Sequence, residues 1–241
     1  MITAILNGYK RGKHLNSQIE ALERQTIKPK EIMLWQNKGE DFDPDICNKT
    51  IWASSNHNFG VWARFSYALN AKTEYVCVFD DDTIPGNRWF ENCINTMKTH
   101  EGLLGTVGLV FTNKDSYWPM QRPGWPAPNR EVVQSDFLGH AWFFKREWLT
   151  AFWRELPDLD QPMIVGEDMH FSYTLQKYMG INTYVPPHPP EDLSLWGSIP
   201  DSAWKIGQDS NAISMNLENI KLMESQMQKY VDRGWRLLVD G

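Results

Sequence analysis

Three adjacent carboxylates, Asp80, Asp81 and Asp82, close the apolar run TEYVCVF, and Thr83-Ile84-Pro85-Gly86 turns the chain directly after them. On an extended segment residues i and i+2 point the same way, so Asp80 and Asp82 share a side and Asp81 points away. Oxygen ligands of this kind suit Mg2+ or Mn2+, ions that are often shared with substrate phosphates. The plain alternative is a solvated turn or helix cap, where Asp is common. A second acid pair, Glu167-Asp168, follows Gly166. The first turn of a helix favours acids through its dipole alone. Beside a cation-binding acid pair elsewhere in the chain, one of these carboxylates also fits the part of a general base. His188 stands between four prolines in Pro186-Pro-His-Pro-Pro190, which fix its backbone. It is expected either to complete a metal site with its ring nitrogen or to lie on the surface. Arg64, in the first turn of a helix after Asn56-His-Asn-Phe-Gly60, faces a phosphate, a base or solvent.

The elements that must position these groups are read from periodicity. Ile2–Leu6, Glu31–Trp35 and Thr73–Phe79 have the composition of buried strands, with a weaker strand over 50–53. Leu15, Ile19 and Leu22 predict a helix over 14–25, ended by Pro29. Val61, Phe65, Ala68 and Leu69 predict another over 60–71. Alternation of strands and helices implies a parallel sheet with helices on its faces. In such sheets ligands bind beyond the carboxyl ends of the strands, where Asp80–Asp82 stand. Further on, the pattern gives a helix over 87–99 and a strand over 103–111. The Pro- and Trp-rich segment 112–130 is expected to be a long functional loop. A strand over 140–145, a helix from Gly166, a strand over 181–185 and a C-terminal amphipathic helix from Ile213 to Tyr230 complete the chain.

The 241 residues carry a net charge of −6, which argues against nucleic acid as a partner. Cys47, Cys77 and Cys93 form neither a paired framework nor a metal-ligand spacing. The apolar N-terminal run turns polar by Asn7, too soon for a signal peptide or a membrane span, and a cytoplasmic protein with no transmembrane segment is expected. Among twelve Trp, Trp118, Trp125 and Trp196 fall in expected loops. Exposed indoles there would stack on an acceptor sugar, whereas most of the others must fill the core.

Together, AILNGYKR, ERQTIKP, EIMLWQN, NFGVWARFSYAL, VFDDDTIPG and GEDMHFSYTLQKYMGINTYVPP resemble the motifs of GT-A-fold glycosyltransferases, above all family 2. The likeness runs to about Ser198. WQN, DDDT and FLGHAWFFK also resemble the C-terminal catalytic domain of exostosins. The resemblance implies an α/β protein with a mostly parallel central sheet flanked by helices. It implies one transferase domain over 1–241, with a nucleotide-sugar half (1–99), an acceptor and catalytic half (100–205) and a C-terminal helix (206–241). It further implies that Tyr9 flanks the nucleobase, Asn37 bonds it, and Arg64 reaches base or diphosphate. Asp80 would hold the ribose or uracil side, with Asp81 beside it. Asp82 and His188 would hold Mn2+ or Mg2+, Asp168 would be the base, and Glu167 would contact acceptor or donor sugar. The implied reaction moves a sugar from a nucleoside-diphosphate sugar, UDP-sugar favoured, to a hydroxyl of a glycan or other acceptor with inversion. An exostosin-like enzyme would retain configuration instead. Two rivals use the same acids: a HAD-type phosphohydrolase, which would need an acid where Ser172 stands, and a non-catalytic nucleotide- or carbohydrate-binding module.

Overall fold

Strand β1 (Ile2–Gly8) is buried along its whole length, as its unbroken apolar run requires. It pairs in parallel with β2 (Glu31–Gln36) on one side and β4 (Tyr75–Phe79) on the other, and β2 pairs in parallel with β3 (Ile51–Ser54). Beyond β4 the sheet continues through β10 (Ala141–Lys145), β5 (Gly102–Leu104), β11 (Asn182–Val185) and β8 (Val133–Ser135). The eight-stranded sheet is mostly parallel; β10 and β8 run antiparallel to their neighbours. The computed structural model describes residues 1–10, 12–38, 43–160, 163–200, 213 and 216–240. Residues 201–205 of the expected acceptor half, and most of 206–215, lie outside them.

Leu15, Ile19 and Leu22 of helix α1 (Leu15–Glu23) are buried against the sheet, as their spacing predicts. The same helix fixes the triple-Asp turn. Gln18 donates from Nε2 to the carbonyls of Asp80 (2.7 Å) and Thr83 (2.8 Å), and Gln25, just past the helix end, donates to the Gly86 carbonyl (2.7 Å). Gly86 itself admits no side chain. An added Cβ would lie 2.3 Å from the Leu193 carbonyl oxygen and 2.5 Å from that of Ser194.

The sequence does not predict the short helix α2 (Pro44–Lys49), which has Pro44 in its first turn and is capped by Asp43 accepting from the Asp45 amide. Helix α3 (Ala63–Tyr67) tightens into a 3-10 turn over Ala68–Asn70. That tightening changes the angular phase of the last residues, so Leu69 faces solvent instead of joining Phe65 and Ala68 in the core. Helix α4 (Trp89–Thr99) follows the turn.

The strand expected over 103–111 is two strands. The chain breaks at Gly105-Thr106, β5 stays in the large sheet, and β6 (Val107–Phe111) enters a separate three-stranded sheet with β7 (Met120–Gln121) and β9 (Phe137–Gly139). Part of the expected 112–130 loop is therefore a strand. Helix α5 (Leu149–Phe152) and helix α6 (Glu167–Met179) follow, with Phe65, Trp142, Phe144, Phe152 and Phe171 forming an aromatic cluster between them and the sheet. The last helix, α7 (Leu217–Asp232), begins where Asn216 accepts from the Glu218 amide, four residues later than Ile213. Its Met223, Met227 and Tyr230 are buried, and Tyr230 stacks on Tyr173 of α6 at 4.6 Å. Among the described residues no helix is long and apolar enough to cross a membrane.

Candidate active site

Strand register brings the first cluster together. Ala141 pairs with Phe79 across the antiparallel β10–β4 ladder, and the Asp80 amide donates to the His140 carbonyl at 2.9 Å. His140 Nδ1 then lies 3.5 Å from Asp82 Oδ1 and 3.7 Å from Asp80 Oδ2. One ligand atom from each of Asp80, Asp82 and His140 falls within 4.8 Å of the others. Two carboxylate oxygens and one imidazole nitrogen are a donor set that fits a divalent cation such as Mn2+. His140 is held at φ +73°, in the left-handed region that costs a non-glycine residue about 1–2 kcal/mol. Burial pulls its imidazole down, but the hydrogen bond to Asp82 and the charges of Asp82 and Asp80 outweigh that and leave it raised.

Arg64 joins this cluster to the second acid pair. Its guanidinium bonds Asp80 Oδ1 through one nitrogen and Glu167 Oε1 through the other, the latter at 2.6 Å. It also lies 4.5 Å from the Trp142 ring centroid. The side chain is 3% exposed, so these ion pairs form largely out of water. Burial alone would disfavour its charge; the Asp80 and Glu167 carboxylates reverse the balance and raise it.

Gly166, at φ +86°, starts α6 and aims Glu167 and Asp168 at this point. A side chain at 166 would collide with Gln226 of α7, whose Oε1 lies 1.6 Å from the ideal Cβ position. Burial raises the Glu167 carboxyl, with Arg64 pulling against it. Burial and then the charge of Glu167 push the Asp168 carboxyl well above the usual carboxylate range. A half-buried carboxyl with so high a proton affinity is suited to take a proton from a hydroxyl.

The remaining expected residues divide. Tyr9, half-buried after β1, lies under the Lys10 ammonium at 5.0 Å. Trp118 is exposed, and Trp125 is buried with its ring 6.3 Å from that of His140. The buried Asn37 amide is engaged within the protein. Its amide oxygen accepts from Trp35 Nε1 (3.0 Å) and the Phe59 amide (3.1 Å), and its nitrogen donates to the Gly60 carbonyl (2.9 Å). It fastens the 58–60 turn to the end of β2. Asn37→Ala is therefore expected to destabilise by about 2–4 kcal/mol through the polar groups left unpaired, read as a lower denaturant midpoint.

His188 is not beside the acids. The ring is fully buried; Nε2 engages Thr106 Oγ1 (2.8 Å) and the Gly197 amide (3.3 Å), and Nδ1 the Pro186 carbonyl (2.7 Å). Its nitrogens satisfy buried backbone, and burial pulls the imidazole down to about 4. The imidazole beside Asp80 and Asp82 is that of His140, which the sequence reading takes only as part of a strand. Its signal is positional: a polar residue opening the apolar strand that pairs with the one ending in the acids. Trp196 is likewise core. It is packed on the His188 ring, and its indole donates to the Pro189 carbonyl at 2.8 Å, so no face is open for a sugar.

The family model described as Glycosyl transferase family 2 matches residues 4–157. The chain belongs to glycosyl transferase family 2. That membership leaves the phosphohydrolase reading of the acids without support. The acids stand at the carboxyl end of β4, the edge where open α/β sheets bind ligands. No curated protein sequence matches the chain significantly. Among solved structures, GalNAc-T7 with UDP, GalNAc and Mn2+ is similar at 14% identity and a TM-score of 0.63, covering 96% of this chain and 50% of that one. The S. aureus TarS 1–349 structure is similar at 16% identity and 0.50, covering 77% and 60%. The same TarS fragment with UDP-GlcNAc aligns at 14% identity and 0.51, covering 96% and 72%. This family 2 chain thus spans 60% of the first of these TarS chains and half of GalNAc-T7, and it shares their α/β fold.

Proposed function

We propose that the chain is one transferase domain that moves a sugar from a UDP-sugar to a hydroxyl of a glycan or another acceptor, with inversion. The observation that carries this is the Asp80–Asp82–His140 group, tied through Arg64 to the acids that open α6. The solved neighbours described with UDP, UDP-GlcNAc and Mn2+ support the choice of nucleotide and metal. A divalent cation held by Asp80, Asp82 and His140 would neutralise charge on the leaving diphosphate as a Lewis acid. Tyr9 flanks the base. Asp168 takes the acceptor hydroxyl's proton as that oxygen bonds the anomeric carbon. The bond from that carbon to the phosphate oxygen breaks, and its electron pair leaves with the nucleoside diphosphate. Glu167 and Arg64 hold Asp168 and Asp80 at fixed separation, and Trp118 offers the acceptor an exposed ring face.

Calorimetric titration with UDP, GDP, CMP and TDP, with and without Mn2+, tests the reading. UDP with Mn2+ should bind tightest. In Asp82→Asn the gain in UDP affinity on adding Mn2+ should disappear, and His140→Ala should shrink it at least tenfold. A full Mn2+ effect in Asp82→Asn would remove the metal assignment. NMR of the product's anomeric proton distinguishes inversion from exostosin-like retention.

A further inference from the structure

Arg122 follows directly after β7 on the segment that bridges the small sheet and the active site. Its guanidinium lies 5.3 Å from the Trp125 ring centroid, and the Trp125 ring is 6.3 Å from that of His140. The side chain is half-buried, and its Nε is buried without a hydrogen-bond partner. Among the described residues no carboxylate lies within ion-pair distance of it. This sets it apart from Arg64, Arg88, Arg130 and Arg233, each of which is paired. Its charge is felt on two sides, by His140 and by Tyr117, and Tyr117 in turn feels Asp168 and Glu167. Through Trp125, Arg122 thus stands on the His140 side of the cation-binding group. Burying a cation without a counter-charge is costly, and its burial already disfavours the charged form. The fork of N–H donors on a guanidinium matches phosphate oxygens in a bidentate grip.

We propose that Arg122 is a donor-site residue that grips the distal phosphate of the nucleoside diphosphate. This rests on the nucleotide-sugar reading above. There Arg122 stabilises the charge that gathers on the leaving oxygen as the bond to the sugar breaks. The Trp125 ring, 5.3 Å from the guanidinium, is its packing platform.

The test is calorimetry of UDP and UMP with Mn2+ on wild type, Arg122→Met and Arg122→Lys, with initial rates on a competent donor–acceptor pair. UDP affinity should fall at least tenfold in Arg122→Met and UMP affinity should be unchanged, because only UDP carries the distal phosphate. Arg122→Lys should recover part of the UDP affinity as a point charge without the fork. Thermal unfolding of Arg122→Met should occur no lower than in wild type, since an unpaired buried charge is removed. Equal UDP affinity in wild type and Arg122→Met overturns the assignment, as would a change confined to the acceptor KM, which would make Arg122 an acceptor-anion site. Failure of wild type to bind UDP at all would overturn the nucleotide-sugar reading, and this assignment with it.

Discussion

Arg64→Met is expected to lower the melting temperature by about 6–12 °C and to abolish transfer. The guanidinium is nearly inaccessible and holds two carboxylates, Asp80 and Glu167, at once. Removing one partner of a buried ion pair costs about 3–5 kcal/mol, and the lower end applies because Asp80 is partly exposed and screened by water. For a chain of this size each kcal/mol moves the midpoint by about 2–4 °C. The pH dependence has a definite sign. Glu167 is already raised by burial, so its contribution to stability is present below its unfolded pKa and is lost as pH rises through its folded value. Without Arg64 that loss deepens. The gap between wild type and variant should therefore be widest at pH 8 and narrow toward pH 5, as followed by circular dichroism. An unchanged midpoint at both pH values would mean that the ion pairs do not hold the two halves of the site together.

Asp168→Asn should leave the fold and the donor site intact while removing the chemistry. General-base assistance contributes about 10^2- to 10^4-fold, so turnover should fall by that factor with UDP affinity essentially unchanged. Burial and the charge of Glu167 raise the Asp168 carboxyl, so its ionised form costs stability at neutral pH; a neutral amide removes that cost. Asp168→Asn is thus expected to melt at or above the wild-type temperature. In the wild type kcat/KM should rise with pH as Asp168 ionises, and this limb should vanish from the residual activity of the variant. Near-normal turnover in Asp168→Asn would exclude Asp168 as the base.

Much of this architecture was legible in the residues. The run of β-formers Tyr75–Phe79 read as a largely buried strand, and the acids after it fell at a sheet end. Glycine at 166 before two acids marked the start of α6. What periodicity could not reach was pairing. His140 joins Asp80 and Asp82 only because β10 runs antiparallel beside β4, a non-local register that no spacing along the chain encodes. Asn37 and His188 share a trait that sequence position does not reveal: each buried side chain bonds groups inside the protein, Asn37 the Phe59 amide and Gly60 carbonyl, His188 the Thr106 hydroxyl and the Pro186 carbonyl. The expected strand over 103–111 continued in hydropathy through Gly105, yet its two pieces belong to different sheets.

The hydrogen bonds from Gln18 and Gln25 into the turn after β4 carry a thermodynamic consequence. Both amides act from the α1 side on the backbone that bears the acids, and Arg64 fixes the Asp80 side chain from the other flank. The carboxylates are therefore preorganised: little chain entropy remains to be lost there when a ligand arrives. Under the proposed nucleotide-sugar reading, the ordering penalty of donor capture would fall instead on the donor's own rotatable diphosphate linkage.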